Sequence, residues 1–224
     1  IFMSTFLGAV FFGFFGLVLM GAKKGVPGKV QNFAEFVFEF ISGAVKSNFH
    51  GTSRIIGPLA FTSCVWILSW NLMDLLPVEL TNFVGSSGAG VDYFKLLPTA
   101  DVNAPLALAL VVMFFVTYYT IANHGLGGFL KEFINPIELV GYFSKHVALA
   151  LRLYGNLFAG EMIFILIGIM FGQFLMSFGQ TLWFIPGLMM NLVWALFHIL
   201  IIALQAYIFM MLTIAYINLA CAKH

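Results

Sequence analysis

Long runs of apolar residues without any charged side chain dominate the chain. Such runs cover residues 1–22, 55–73, 102–130 and 162–222. A helix needs about 20 apolar residues to cross the hydrocarbon layer of a membrane, and the last run is far longer than one crossing. Hydrophobic residues make up 62% of the chain and charged residues only 8%, with a mean hydropathy of +1.02. This pattern predicts an all-α integral membrane protein.

The runs predict about five membrane-embedded helices in a single membrane domain that covers residues 1–224. The predicted helices span residues 1–22, 54–76, 102–123, 136–178 and 183–222. The last two contain about 40 residues each, which at about 1.5 Å per residue gives about 60 Å of helix. Because the hydrocarbon layer is only about 30 Å thick, we expect these two helices to be steeply tilted, unless one of them breaks at a glycine.

Residues 28–50 have a different pattern, that of a helix with one apolar side. The apolar positions at helical spacing are Phe33, Phe36, Val37, Phe40, Ile41, Ala44 and Val45. The polar positions on the other side are Gln31, Asn32, Glu35, Glu39, Ser42 and Lys46. We predict an amphipathic helix that lies at the inner membrane surface. The alternative is that its apolar side packs against a soluble partner.

Basic residues are concentrated in alternate connections. The first connection carries Lys23, Lys24, Lys29, Lys46 and Arg54. The next one, residues 74–101, holds four acidic residues against a single lysine, whereas the third connection and the C-terminal tail again carry a lysine each. The positive-inside rule therefore predicts that the first and third connections and the C-terminus are cytoplasmic, and that the N-terminus faces outward.

Arg152 stands alone in nearly unbroken apolar sequence. An arginine at the bilayer centre costs about 2.5–3.5 kcal/mol on insertion scales, so a functional role is the first expectation, and a structural, ion-paired or snorkelling arginine is the alternative. On a helix, Glu138, Lys145 and Arg152 form one stripe at seven-residue spacing, and Asn156 follows one turn later. The rest of this face is small: Ala148, Gly155 and Ala159. Small residues predict that another helix surface approaches Arg152 closely.

A second group of polar residues lies on the other side of this helix and on the last helix. Glu161 is nine residues from Arg152, so it lies about 180° away on a straight helix and is available to relay a proton. In the last helix, Asn191, His198 and Gln205 are seven residues apart amid apolar residues. Because histidine titrates nearest to neutral pH, this line of polar residues predicts proton exchange.

The sequence contains little evidence of other chemistry. The sequence has no phosphate-binding glycine loop, no nucleophile elbow and no cluster with metal-ligand spacing, so we expect no cofactor and no metal. Cys64 and Cys221 lie on apolar segments and are expected to be small buried residues.

Two stretches carry a family pattern, "LALRLYGNLFAGEMIFIL" (149–166) around Arg152 and "WALFHILIIALQAYIFMMLTIAY" (194–216) in the last predicted helix. The first is similar to the signature of subunit a of the F-type ATP synthase, and the second resembles the last helix of that family. The likeness continues in "GVPGKVQNFAEF", "NLMDLLPVEL" and "PTADVNAPLALAL", in the order of the family. It covers almost the whole chain. His146 is a departure, because related sequences often carry proline there; the connection 171–187 also looks longer than in some relatives.

The resemblance implies a role for each matching residue. Arg152 matches the essential stator arginine that faces the proton-carrying carboxylate of the rotor ring, and Asn156 and Gln205 match polar residues beside it. Glu161 and His198 match the relay pair of the periplasmic half-channel. Asp101 and Asp74 are expected towards the mouth of that half-channel. The cytoplasmic half-channel is expected at Glu138, Ser144 and Lys145.

The resemblance also implies the setting. The chain would be a non-catalytic proton-translocating subunit in a bacterial inner membrane, with partners in the rotor c-ring, the b subunits of the peripheral stalk and the rest of the synthase, and with no nucleic acid. The competing interpretation is a secondary transporter with a buried arginine and glutamate. Transporters usually contain internal repeats, and the Arg152 motif has no second copy. A membrane scaffold is weaker still, since it leaves Arg152, Glu161 and His198 unexplained.

Overall fold

A computed structural model describes residues 2–22, 28–49, 55–73, 102–177 and 184–221. These residues form six helices, which are α1 (Phe2–Met20), α2 (Lys29–Asn48), α3 (Ile56–Leu72), α4 (Asn103–Ile134), α5 (Pro136–Ser177) and α6 (Phe184–Cys221). The described residues contain no strand. The prediction of an all-α membrane protein is confirmed.

Three of the described helices are long and apolar enough to cross a membrane, over Asn103–Leu130, Pro136–Met170 and Ile185–Cys221. Two shorter apolar stretches, Gly8–Met20 and Ile56–Leu72, overlap the other two predicted membrane helices. Helix α5 has 42 residues and α6 has 38. At about 1.5 Å per residue each is about 60 Å long, roughly twice the hydrocarbon thickness, so neither helix fits upright within the hydrocarbon layer.

Helix α4 extends past residue 123, where the sequence pattern places its end. Its helical hydrogen bonding is interrupted at Gly125, which has φ 70° and ψ 170°. Only glycine adopts this conformation without strain, because it has no Cβ. A second helical stretch therefore follows the first at an angle and runs on to Ile134, where Asn135 separates it from Pro136.

Helices α3, α4, α5 and α6 enclose the main core. Helix α6 packs against the other three, and α4 and α5 pack along each other. Ile67, Leu153, Phe209, Met210 and Ile217 are among its most deeply buried side chains. Most of the buried side chains here are apolar and close-packed, although polar residues such as His198 and Gln205 are buried among them.

Helices α1 and α2 pack on the outside of α3 through aromatic rings. Phe15 and Phe38 both contact Phe61 of α3, the first edge-on at 5.3 Å between ring centroids and the second stacked at 4.3 Å. The apolar residues of α2 fall into a buried group and an exposed group. Ala34 and Ile41 are buried against the protein. In contrast, Phe33, Phe36 and Phe40 are all more than half exposed. The exposed aromatic residues are the part of α2 that suits a lipid surface.

Gly8 allows α1 to approach α3 closely. A Cβ on Gly8 would lie 2.8 Å from the Trp66 ring, and that ring is already held between Phe12 and Trp70 at centroid distances of 5.8 and 5.9 Å. We expect Gly8→Leu to separate α1 from α3 and to cost about 1–3 kcal/mol of stability through overpacking. The measurement is size-exclusion chromatography after heating in detergent. The temperature at which half of the folded protein peak is lost should be lower in this variant. Gly13→Leu is the control, since a Cβ there meets nothing within 4 Å; equal losses in the two variants would contradict the packing shown by α1.

Candidate functional site

The candidate site is built on the contact between α5 and α6. The two helices are antiparallel, because contacts that move down α5 move up α6. Phe164 packs against Trp194 at one end (centroids 6.4 Å apart), and His146 packs against Tyr216 at the other (5.9 Å). Most of the residues between these two ends that α5 buries are leucines: Leu149, Leu153 and Leu157. Each polar group in this contact is therefore surrounded by apolar side chains.

One hydrogen bond joins the two helices at the level of the Arg152 motif. The side-chain amide of Asn156 donates from Nδ2 to Oε1 of Gln205, at 2.8 Å. Gln205 is only 3% exposed. A buried amide without a partner is costly, so this bond fixes the axial register of α5 against α6. The sequence predicts both residues near Arg152, and the structure brings them together.

His198 lies in a space that Gly160 leaves open. The imidazole is 1% exposed, and a Cβ on Gly160 would lie only 2.6 Å from its Nδ1 atom. Phe164 contacts the same ring edge-on at 5.5 Å between centroids. A glycine and a phenylalanine of α5 thus form the surface against which His198 packs.

Glu161 directly follows Gly160, so it lies within about one 1.5 Å rise of the level at which His198 meets α5. It is partly exposed, and among the described residues it has no hydrogen bond or ion pair. Glu161 and His198 are thus at the same level of the helix pair, although the two side chains do not form a direct hydrogen bond. Asn191, which is seven residues before His198 on α6, is exposed.

Arg152 is exposed and points away from the core. Its neighbour Leu153 is fully buried, so the chain's own core lies on the other side of the helix. Within the part of the chain that the structure describes, the guanidinium has no ion-pair partner. The small residues Ala148 and Ala159 on the same face are exposed as well. The close helix neighbour that the sequence predicts for this face is therefore not one of this chain's described helices.

A cavity of about 740 Å³ opens among α4, α5 and α6, towards the N-terminal end of α5. Its polar lining comes from all three helices and comprises Thr120, His124, Asn135, Glu138, Tyr142, Lys145, His146 and Tyr216. Two of the predicted site residues, Glu138 and Lys145, are in this group. Ser144 is exposed on another side of α5, where its hydroxyl donates to the Val140 carbonyl oxygen. Asp74 and Asp101 lie outside the described residues.

Sequence reasoning missed three residues that shape these sites. Gly160 and Phe164 escape notice because a glycine or phenylalanine in an apolar helix has many structural explanations. Their signal is their spacing: they follow Asn156 at successive intervals of four, on the face that meets α6. His146 stands out in the sequence only as a departure from a family pattern. Its burial depends on Tyr142, one turn earlier on the same face of α5, and on Tyr216 of α6, which no local spacing relates to it.

The fold and the site define an integral membrane protein in which two long antiparallel helices bury polar side chains between them and leave one arginine on an outer face. The family model described as ATP synthase A chain matches residues 1–218. Proteins named ATP synthase subunit a are 42% identical in Glaesserella parasuis serovar 5 and 44% identical in Shewanella sp. (strain MR-4), covering all of this chain and 88% and 87% of the relatives. The one from Tolumonas auensis is 43% identical over 99% of this chain and 86% of its own length. The chain belongs to the ATP synthase subunit a family.

Gly160→Ala tests the close contact with His198. The added Cβ would overlap the imidazole, so the ring or the helices must move, at an expected cost of about 1–3 kcal/mol. The measurement is the thermal midpoint of the purified protein. Gly168→Ala, two turns later on α5, is the matched control because nothing lies within 4 Å of a Cβ there. If Gly160→Ala were as stable as Gly168→Ala, His198 would not pack against Gly160.

Proposed function

We propose that this chain is the proton-conducting stator subunit of an F-type ATP synthase, and that it forms two offset half-channels against the rotor ring. The observation that carries the proposal is Arg152. Its charge lies in the middle of a long apolar helix, on an exposed face lined with small residues, without a counter-charge among the described residues. A membrane arginine in this position needs an acidic partner from elsewhere. The carboxylate of a rotor subunit supplies that charge.

The first half-channel is proposed at Glu161 and His198. Both are titratable, and they occur at one level of the α5–α6 pair, on the C-terminal side of Arg152 along α5. Protons from the periplasm would pass between them to the rotor carboxylate. Asp101 and Asp74, outside the described residues, are proposed for the mouth of this path.

The second half-channel is proposed at the cavity among α4, α5 and α6. The cavity carries Glu138 and Lys145 in its wall and lies on the N-terminal side of Arg152 along α5. Ser144 is proposed to act at the outer face of the same region. The cavity is far larger than the roughly 30 Å³ that one water molecule takes up in the liquid, and its lining is polar enough to hold several. Water there would connect the rotor to the cytoplasm.

The two paths are separated by the apolar part of the α5–α6 contact. Leu149, Leu153 and Leu157 are buried there, and the Asn156 amide donates a hydrogen bond to Gln205. Arg152 lies beside this barrier. Its positive charge favours the ionised form of each passing carboxylate and opposes a second positive charge, so a proton does not cross directly from one path to the other. A proton that falls through 100 mV releases about 2.3 kcal/mol, which is available for rotation only if that crossing is closed.

The setting follows from the same proposal. The chain itself would carry out no phosphate chemistry, and the partners would be the rotor c-ring and the peripheral stalk b subunits. We propose a bacterial inner membrane with the N-terminus in the periplasm and the C-terminus in the cytoplasm. A secondary transporter is the competing class; its assembly would include no rotor ring and no ATPase, whereas relatives named as ATP synthase subunits favour the rotary complex.

Arg152→Ala in the assembled complex tests the proposal. In sealed vesicles we expect ATP-driven acidification to fall to background, while passive proton leak through the membrane sector stays equal or rises, because the barrier between the paths has lost its charge. Lys46→Ala is the control: it removes one exposed positive charge from the last turn of α2 and is expected to leave both rates unchanged. Normal pumping by Arg152→Ala in a fully assembled complex would refute the proposed role.

A further inference from the structure

His146 is a buried titratable side chain that the proposed half-channels do not yet use. It is 5% exposed and lines the cavity among α4, α5 and α6. The rings of Tyr142 and Tyr216 contact it at centroid distances of 5.0 and 5.9 Å. It precedes Arg152 by six residues on α5, which is about 1.7 helical turns.

The hydrogen bond of His146 fixes its tautomer. Nδ1 lies 2.8 Å from the backbone carbonyl oxygen of Tyr142. A carbonyl oxygen only accepts, so Nδ1 carries the hydrogen and donates it. In the neutral ring, Nε2 then bears the free lone pair. Among the described residues this buried Nε2 atom has no hydrogen-bond partner.

A buried acceptor of this kind is costly unless water or a proton reaches it. Both tyrosine contacts are made by ring faces and edges and give Nε2 no donor. The ring lines a large cavity that has polar side chains in its wall, so a small movement of the ring would bring the buried Nε2 atom to water there. A packing role alone would be served as well by an apolar ring, which would leave no polar atom to satisfy.

We propose that His146 is a proton-relay residue in the wall of this cavity, which passes protons between the rotor carboxyl group and the cytoplasmic water. The inference rests on the proposed function and adds one residue to its cytoplasmic half-channel. The rotor carboxyl group gives up its proton through water, and a new N–H bond forms at Nε2. The imidazolium keeps its Nδ1–H bond to the Tyr142 carbonyl group. The Nε2–H bond then breaks as the proton passes to cavity water, and the neutral ring is restored.

Other groups around the cavity contribute to the field at His146. Helix α5 provides the charges of Glu138 and Lys145, α4 provides the imidazole of His124, and α6 provides the phenol of Tyr216. Glu138 is placed to accept the released proton through water, whereas Lys145 opposes a lasting charge on the neighbouring imidazole. Together these two charges suit an imidazole that is protonated only briefly during each proton transfer.

The test uses the complete complex in sealed vesicles and compares wild type with His146→Gln and His146→Phe. Glutamine keeps a donor for the Tyr142 carbonyl oxygen and an acceptor for water, and phenylalanine keeps the ring, but neither carries a proton. We expect both variants to assemble and to lower passive proton conduction and ATP-driven pumping about tenfold or more. If the His146→Phe complex assembles poorly, the test rests on proton conduction and pumping by the His146→Gln complex.

The pH profile separates a relay from a structural role. Acidifying the side that the cavity faces keeps the imidazole protonated, so proton release to that side should slow in wild type as the pH on that side falls. This step should be lost in His146→Gln. Lys46→Ala, which removes an exposed charge on α2 outside the cavity, is the control and should keep the step.

Two results would refute the proposed relay role of His146. One is wild-type conduction with an unchanged pH profile in His146→Gln. The other is an equal loss in Lys46→Ala, which would show that the lower conduction is not specific to His146. If the wild-type complex conducts no protons at all, the proposed function itself fails, and that outcome is distinct from both.

Discussion

The close contact of α5 and α6 is the constraint on which the rest of the structure depends. Each helix is nearly 60 Å long and mostly apolar, so the pair buries its few polar groups in surroundings that cannot hydrate them. Asn156 and Gln205 satisfy each other, and Gly160 gives His198 the space to lie between the helices. These two contacts set the axial register of the pair. Along α5, the buried residues Leu149, Leu153 and Leu157 separate the level of His198 from the cavity beside His146.

The same contact determines where Arg152 points. Because Leu149, Leu153 and Leu157 face the core, the arginine emerges on the outer side of α5 with Ala148 and Ala159. The described part of the chain provides nothing to neutralise it. A membrane protein bears such a cost where a second protein completes the site. In our proposal, the rotor ring completes it and turns past it.

Much of this arrangement can be predicted from the sequence, because it follows from periodicity. Apolar runs locate the helices, and the lengths of the last two require tilt. Seven-residue spacing places Gln205 and His198 on one line. The break of α4 at Gly125 is not predictable in this way, since a glycine in an apolar helix is usually accommodated without a break. Contacts between distant segments are also not predictable from local sequence. The pattern around His146 does not show that Tyr216 will bury it, and the pattern around Gly160 does not show that it will face His198. Such pairs depend on the register between helices, which tertiary packing decides.

The central claim is that the Arg152 face of α5 lies against the rotor, and disulfide cross-linking tests it most directly. The native Cys64 and Cys221 would first be replaced, and a single cysteine introduced at Ala148 or Ala159, paired with one beside the rotor carboxylate. A disulfide needs Cβ atoms about 3.5–4.5 Å apart, so it reports close approach only. We expect efficient cross-linking from both positions and little from Val147, which is exposed on another side of the same helix. Cross-linking from Val147 with none from Ala148 or Ala159 would contradict the account.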